Sequence, residues 1–172
     1  MTLALATVLG ASLLGAVCDV RTRRVPNILV GALFACGLIE NAVLFGWKGV
    51  ALALALAAAV LLAGTVAFSF KLIGGGDVKL LAAAAGTLGY PTALTFVLLT
   101  LLCGGVVGLV YAAMRGRLQA TYANMQAVTL PLLAGVAPAR PSNGLAMPYA
   151  VSIFAGALCT AALGAAHLRL LP

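Results

Sequence analysis

The chain has 172 residues, 64% of them hydrophobic and only 8% charged, with a net charge of +7 and a mean hydropathy of +1.18. A soluble domain carries roughly 25% charged residues, so a folded water-facing surface is excluded and the bilayer becomes the solvent for most of this chain. The length suits one helical bundle across residues 1–172 and leaves no room for a second sizeable domain.

A membrane-crossing helix needs about 20 mostly apolar residues, and six stretches approach that. The first covers about residues 2–18 and ends at the polar run Asp19-Val20-Arg21-Thr22-Arg23-Arg24. It lacks the basic opening of a signal peptide. Val17 before Cys18 is a poor fit to a lipoprotein cleavage site, so this segment reads as a retained first span. The second covers about 27–46, up to Gly46-Trp47-Lys48-Gly49, and the third about 50–70. After the polar, Gly-rich element that begins at Lys71, Gly89-Tyr90-Pro91 divides a long apolar run into a short fourth helix, about 77–89, and a fifth, about 92–114. Residues 115–145 carry Arg115, Arg117, Arg140 and Pro141-Ser142-Asn143, and read as an exposed or interfacial loop with a short surface helix near 118–128. The sixth span covers about 146–167. The expected fold is therefore all-α, a polytopic transmembrane helical bundle of about six spans.

The ten Lys and Arg lie in the short gaps between apolar runs, a pattern of topology rather than of nucleic-acid binding. With the N-terminus outside, the cytoplasmic gaps hold Arg21, Arg23, Arg24, Lys71, Lys79, Arg115, Arg117 and Arg140, and the outside holds Lys48 and Arg169. That asymmetry predicts a multi-pass protein with both termini outside the cytoplasm. The arginines also suit contacts with lipid phosphates. Cys18, Cys36, Cys103 and Cys159 form no C-x-x-C pair and read as small apolar packing residues.

Only three residues are acidic: Asp19, Glu40 and Asp77. A carboxylate at mid-bilayer costs roughly 2.5–3.5 kcal/mol on insertion scales, and less near the interface, so such residues are functional candidates. Spans two and three make an out-and-back excursion, which returns Asp19 and Asp77 to the same membrane face although they are 58 positions apart. Glu40 falls toward the other face. Two carboxylates sharing a site do not both ionise cheaply, which leaves one acid and one base near neutral pH. Such a pair can drive water onto a peptide carbonyl. Asp77 follows Gly74-Gly75-Gly76 and opens a helix, whose positive end favours charge there. Asp19 stands near a helix end of the opposite sign. Asp77 is thus the expected base and Asp19 the expected acid. Lys79 is equally a partner for a carboxylate and a snorkelling anchor, and Pro26-Asn27 is in itself a helix-start signal. His167 lies at the far outer end and offers no alternative triad. On the residues alone, the same two aspartates serve equally as the proton-relay or ion-coupling groups of a small transporter, or sit in a catalytically idle assembly scaffold.

The run from Asp19 through Val25-Pro26-Asn27 resembles the first aspartate motif of the type IV prepilin peptidases. Gly74-Gly75-Gly76-Asp77-Val78-Lys79 resembles their second, G-x-G-D-x-K, an element shared with other intramembrane GxGD aspartyl peptidases. Met147-Pro148-Tyr149 through Gly156 is similar to the family's closing segment. The resemblance implies an aspartyl endopeptidase that removes the leader from pilin or pseudopilin precursors at the cytoplasmic membrane face. Asp19 and Asp77 would be catalytic, Pro26, Asn27, Gly74, Gly76 and Lys79 supporting, and no metal or other cofactor is implied. The C-x-x-C zinc insertion of long-form members is absent, so the chain looks like the short form associated with Flp/Tad pili, for which N-methylation of the product is not expected. The partners implied are the precursor's leader and apolar helix, and membrane lipids. Gly104, Gly105 and Gly108 read as close helix packing, or as the lining of a dock for that apolar helix.

Overall fold

The computed structural model describes residues 2–69, 73–133 and 149–166. They form α1 (Thr2–Thr22), α2 (Asn27–Ser69), α3 (Gly75–Leu88), α4 (Thr92–Met114), α5 (Leu118–Leu133) and α6 (Tyr149–Ala165), with no strand among the described residues. Lys71, Arg140, Met147, Pro148, His167 and Arg169 lie outside the described residues, as does most of the expected loop beyond 133.

Helix α1 outruns its apolar stretch. The sequence expects a span ending near residue 18, whereas the helix continues to Thr22 and places Asp19 in its last turn. Hydropathy marks where the lipid ends, not where the backbone hydrogen bonds end. The helix closes at Arg23, whose φ is 53° and whose N–H bonds the Asp19 carbonyl at 2.8 Å, a left-handed cap. The chain then turns through buried Val25. The Pro26 carbonyl accepts the Leu29 N–H at 3.1 Å and opens α2.

Helix α2 is a run of 43 residues interrupted at Gly46, where φ is 62° and ψ is −152°. Glycine reaches that conformation without steric cost. The contacts on either side show that the chain reverses there. In the first half, Gly37 abuts Thr87 and Asn41 bonds the Thr87 carbonyl, both near the end of α3. In the second half, Ala53 and Ala57 meet Gly86, and Gly64 abuts Val78 at the start of α3. The second half thus runs antiparallel to α3, and the two halves form the hairpin expected from the spans at 27–46 and 50–70. Trp47-Lys48-Gly49 remains helical, so the turn is confined to Gly46.

Helix α3 is the centre of the bundle. From Leu80 to Thr87 every residue is buried, as a helix apolar on all sides must be. Its 14 residues rise about 21 Å, short of the roughly 30 Å hydrocarbon core. Helices α1 and α6 run antiparallel, with Asp19 beside Ala150 at one end and Leu5 beside Gly164 at the other. Helices α4 and α6 do the same, with Gly104 against Tyr149 and Gly156 against Thr100. The core is made where they converge, from Val8, Leu80, Ala84, Phe96, Ile153 and Ala157. Helix α5 is longer than the surface helix expected near 118–128 and rests lightly on α4.

The outside of the bundle is apolar. Ile28, Val43, Leu62, Leu102 and Val106 are all more than half exposed, a density of exposed apolar side chains that a protein in water rarely tolerates. Helices α1, α2 and α4 are long and apolar enough to cross a membrane. The chain is an all-α membrane protein.

Candidate active site

Both aspartates belong to helix ends at the same side of the bundle. Asp19 sits in the last turn of α1, and Asp77 in the first turn of α3. They are 7% and 6% exposed, an unusual degree of burial for carboxylates, and the charge of Asp19 acts on Asp77. The antiparallel packing of α1 on α3 is what joins them. One turn before Asp19, Gly15 lies against the Leu80 side chain, one turn past Asp77.

Local sequence sets each carboxylate. Gly74 precedes α3 with φ −72° and ψ 145°, and the Asp77 side chain folds back over it, so that a Cβ on Gly74 would lie 2.7 Å from Asp77 Oδ2. The space is available because Gly74 has no side chain. Gly76 faces Val25, whose Cβ stands 3.4 Å from where a Gly76 Cβ would be. Behind α3, Gly64 leaves room for Val78. The other oxygen of Asp77, Oδ1, is buried with no hydrogen-bond partner among the described residues. Such an atom is costly in a folded interior, and it offers a free acceptor to a water or a substrate N–H.

Asp19 is held from a third helix. The backbone N–H of Ala150, at the start of α6, donates to Asp19 Oδ2 at 3.4 Å. Its neighbour Tyr149 is buried against Gly104 of α4. Neither Tyr149 nor Ala150 has an assigned role in the sequence reading, although both fall inside the closing segment. The signal was positional only, since nothing in one sequence pairs α6 with the end of α1. Gly104 is seen in its packing role.

The remaining candidates divide. Pro26 and Asn27 are exposed and start α2; their neighbour Val25 is the buried residue that meets the Gly-rich turn. Lys79 is exposed and makes no ion pair among the described residues, so it is not brought to either carboxylate. Glu40 lies at the opposite end, lining a cavity with Ala4, Lys48 and Tyr90, as expected. Among the described residues no three His, Cys, Asp or Glu gather where they could hold a metal ion.

Residues 5–109, which include both aspartates and end before α6, match the sequence profile of the type IV leader peptidase family. No curated protein and no solved structure matches the chain.

Proposed function

The chain belongs to the type IV leader peptidase family, and from that premise we propose that it is an aspartic endopeptidase in which Asp19 and Asp77 form the catalytic pair. The observation that carries this reading is the burial of the two carboxylates at one end of the bundle, with the charge of Asp19 acting on Asp77.

In this reading one carboxylate is ionised and the other carries a proton, because two charges so placed and so poorly solvated repel strongly. The ionised carboxylate takes a proton from water as the water oxygen bonds to the peptide carbonyl carbon. The protonated carboxylate gives its proton to the carbonyl oxygen. When the tetrahedral intermediate collapses, the C–N bond breaks, the amine leaves with a proton, and the pair returns to one acid and one base. The free Oδ1 of Asp77 is the atom suited to hold the water.

The substrate in this proposal is a prepilin or pseudopilin of the Flp/Tad type, cut between its leader and its apolar helix. The site faces the cytoplasm from the plasma membrane, with Arg21, Arg23, Arg24, Arg115 and Arg117 at that face and the N-terminus outside. The chain carries no C-x-x-C pair, which supports hydrolysis without a following N-methylation. The test is co-expression with a Flp-type precursor and mass measurement of the product. Cleavage at the leader junction is expected. An intact precursor in the presence of folded, membrane-inserted protein would overturn the proposal.

A further inference from the structure

Two helices deliver Asp19 to the site, and only one of them contains it. Helix α6 begins at Tyr149, and its second residue, Ala150, gives its N–H to Asp19 Oδ2. That N–H belongs to the first turn, where helix donors have no partner inside the helix. Its direction is therefore fixed by how the start of α6 is seated. The seat is on α4. A Cβ on Gly104 would lie 2.9 Å from Tyr149 Cε2 and from its hydroxyl oxygen, and 3.1 Å from Cζ. The missing side chain of Gly104 is the volume that the ring fills. Tyr149 is 7% exposed, and two turns further along α6 a second notch, Gly156 against Thr100, fixes the same pair of helices. Both notches involve groups that a small displacement would bring into overlap, so α6 has one register on α4.

We infer that Gly104 and Tyr149 are positioning residues for Asp19: the ring of Tyr149, locked into the Gly104 notch, fixes the first turn of α6 so that the Ala150 N–H aims the Asp19 carboxylate at the scissile bond. The inference rests on the proposed role of Asp19. It separates the ring from the hydroxyl. Packing is done by the ring, so Tyr149→Phe keeps the lock and Tyr149→Ala removes it. It also makes Gly104 and Tyr149 act through each other rather than independently.

The test measures kcat and KM for cleavage of a purified Flp-type precursor by the full chain in detergent micelles, with thermal melting of each variant alongside. Tyr149→Ala is expected to lower kcat on the order of tenfold to a hundredfold, the effect of a reacting group displaced by less than about 1 Å, with KM changed less than about threefold. Tyr149→Phe retains most of kcat. Gly104→Ala lowers kcat, and Gly104→Ala combined with Tyr149→Phe recovers part of the loss, because one of the two atoms at 2.9 Å is gone. Normal kcat in folded Tyr149→Ala overturns the inference. So does a Tyr149→Phe defect as deep as that of Tyr149→Ala, which would make the hydroxyl the working group. Asp19→Asn separates the two levels: if that variant cleaves normally, the role of Asp19 itself falls, whereas an inactive Asp19→Asn beside a fully active Tyr149→Ala removes only the positioning role.

Discussion

Gly64 and Val78 share one space: a Cβ on Gly64 would overlap Val78 Cγ1 and lie 3.2 Å from its Cγ2. Val78 follows Asp77 directly, so the second half of α2 sets how closely the start of α3 is held. Gly64→Ala forces these helices apart or drives Val78 out of its rotamer. Overpacking of this kind costs about 1–3 kcal/mol, and the variant is expected to melt earlier in detergent and to process precursor more slowly. Val78→Ala in the same chain makes room and is expected to restore both. Failure of the second change to rescue the first would mean that the contact does not govern the site.

The two motif glycines are not equivalent. A Cβ on Gly74 would lie 2.7 Å from Asp77 Oδ2, whereas one on Gly76 would meet Val25 at no less than 3.4 Å. Gly74→Ala is therefore expected to lower kcat on the order of tenfold or more by displacing the carboxylate. Gly76→Ala has the smaller effect. Cleavage kinetics of the two variants decide it, and equal losses would contradict the account of Asp77's position.

Asn41 is buried and donates through Nδ2 to the Gly37 carbonyl at 2.8 Å and the Thr87 carbonyl at 3.2 Å. It ties the far end of α3 to the first half of α2. Polar contacts between membrane helices are worth about 0.6 kcal/mol on average and up to about 1.7. Asn41→Leu should reduce stability within that range. The tie lies ten residues along α3 from Asp77, about 15 Å away, so kcat should change far less than melting does. A kcat loss larger than the stability loss would show coupling along α3 that the packing does not suggest.

The proposed orientation is tested by labelling. In a chain whose four native cysteines are replaced, Arg24→Cys should react with a membrane-impermeant thiol reagent only from the cytoplasmic side, and Lys48→Cys only from the opposite side. Both positions are exposed. Labelling of the two from one side would break the out-and-back path of α2 and with it the reason the aspartates meet.

Much of this was readable from the chain. Three acids in a strongly apolar sequence make each one conspicuous, and the hairpin around Gly46 returns two of them to one face. The break at Gly46 shows as a Gly-Trp-Lys-Gly interruption in a long apolar run, although only its first residue leaves the helix. Helix α1 ends four residues past the expected span because arginines can continue a helix after the lipid stops. The lock of Tyr149 on Gly104 had no sequence signal of its own. It joins α4 to α6 across more than forty residues, and a glycine in an apolar helix looks the same whether it seats a tyrosine or faces lipid, as Gly105 shows with nothing near it. Of the two possible roles of Lys79, pairing with Asp77 is disfavoured once both lie on one helix, since two residues along a helix turn a side chain away from its neighbour, and the structure places both on α3.

The central claim is that Asp19 and Asp77 work as one hydrolytic unit, and precursor-cleavage rates of Asp19→Asn, Asp77→Asn and the double variant measure it most directly. Groups that act as a unit are strongly non-additive, so each single variant should fall to the uncatalysed background and the double variant should be no slower. Single variants that each keep a measurable rate, with losses that multiply in the double, would mean that the two carboxylates act separately.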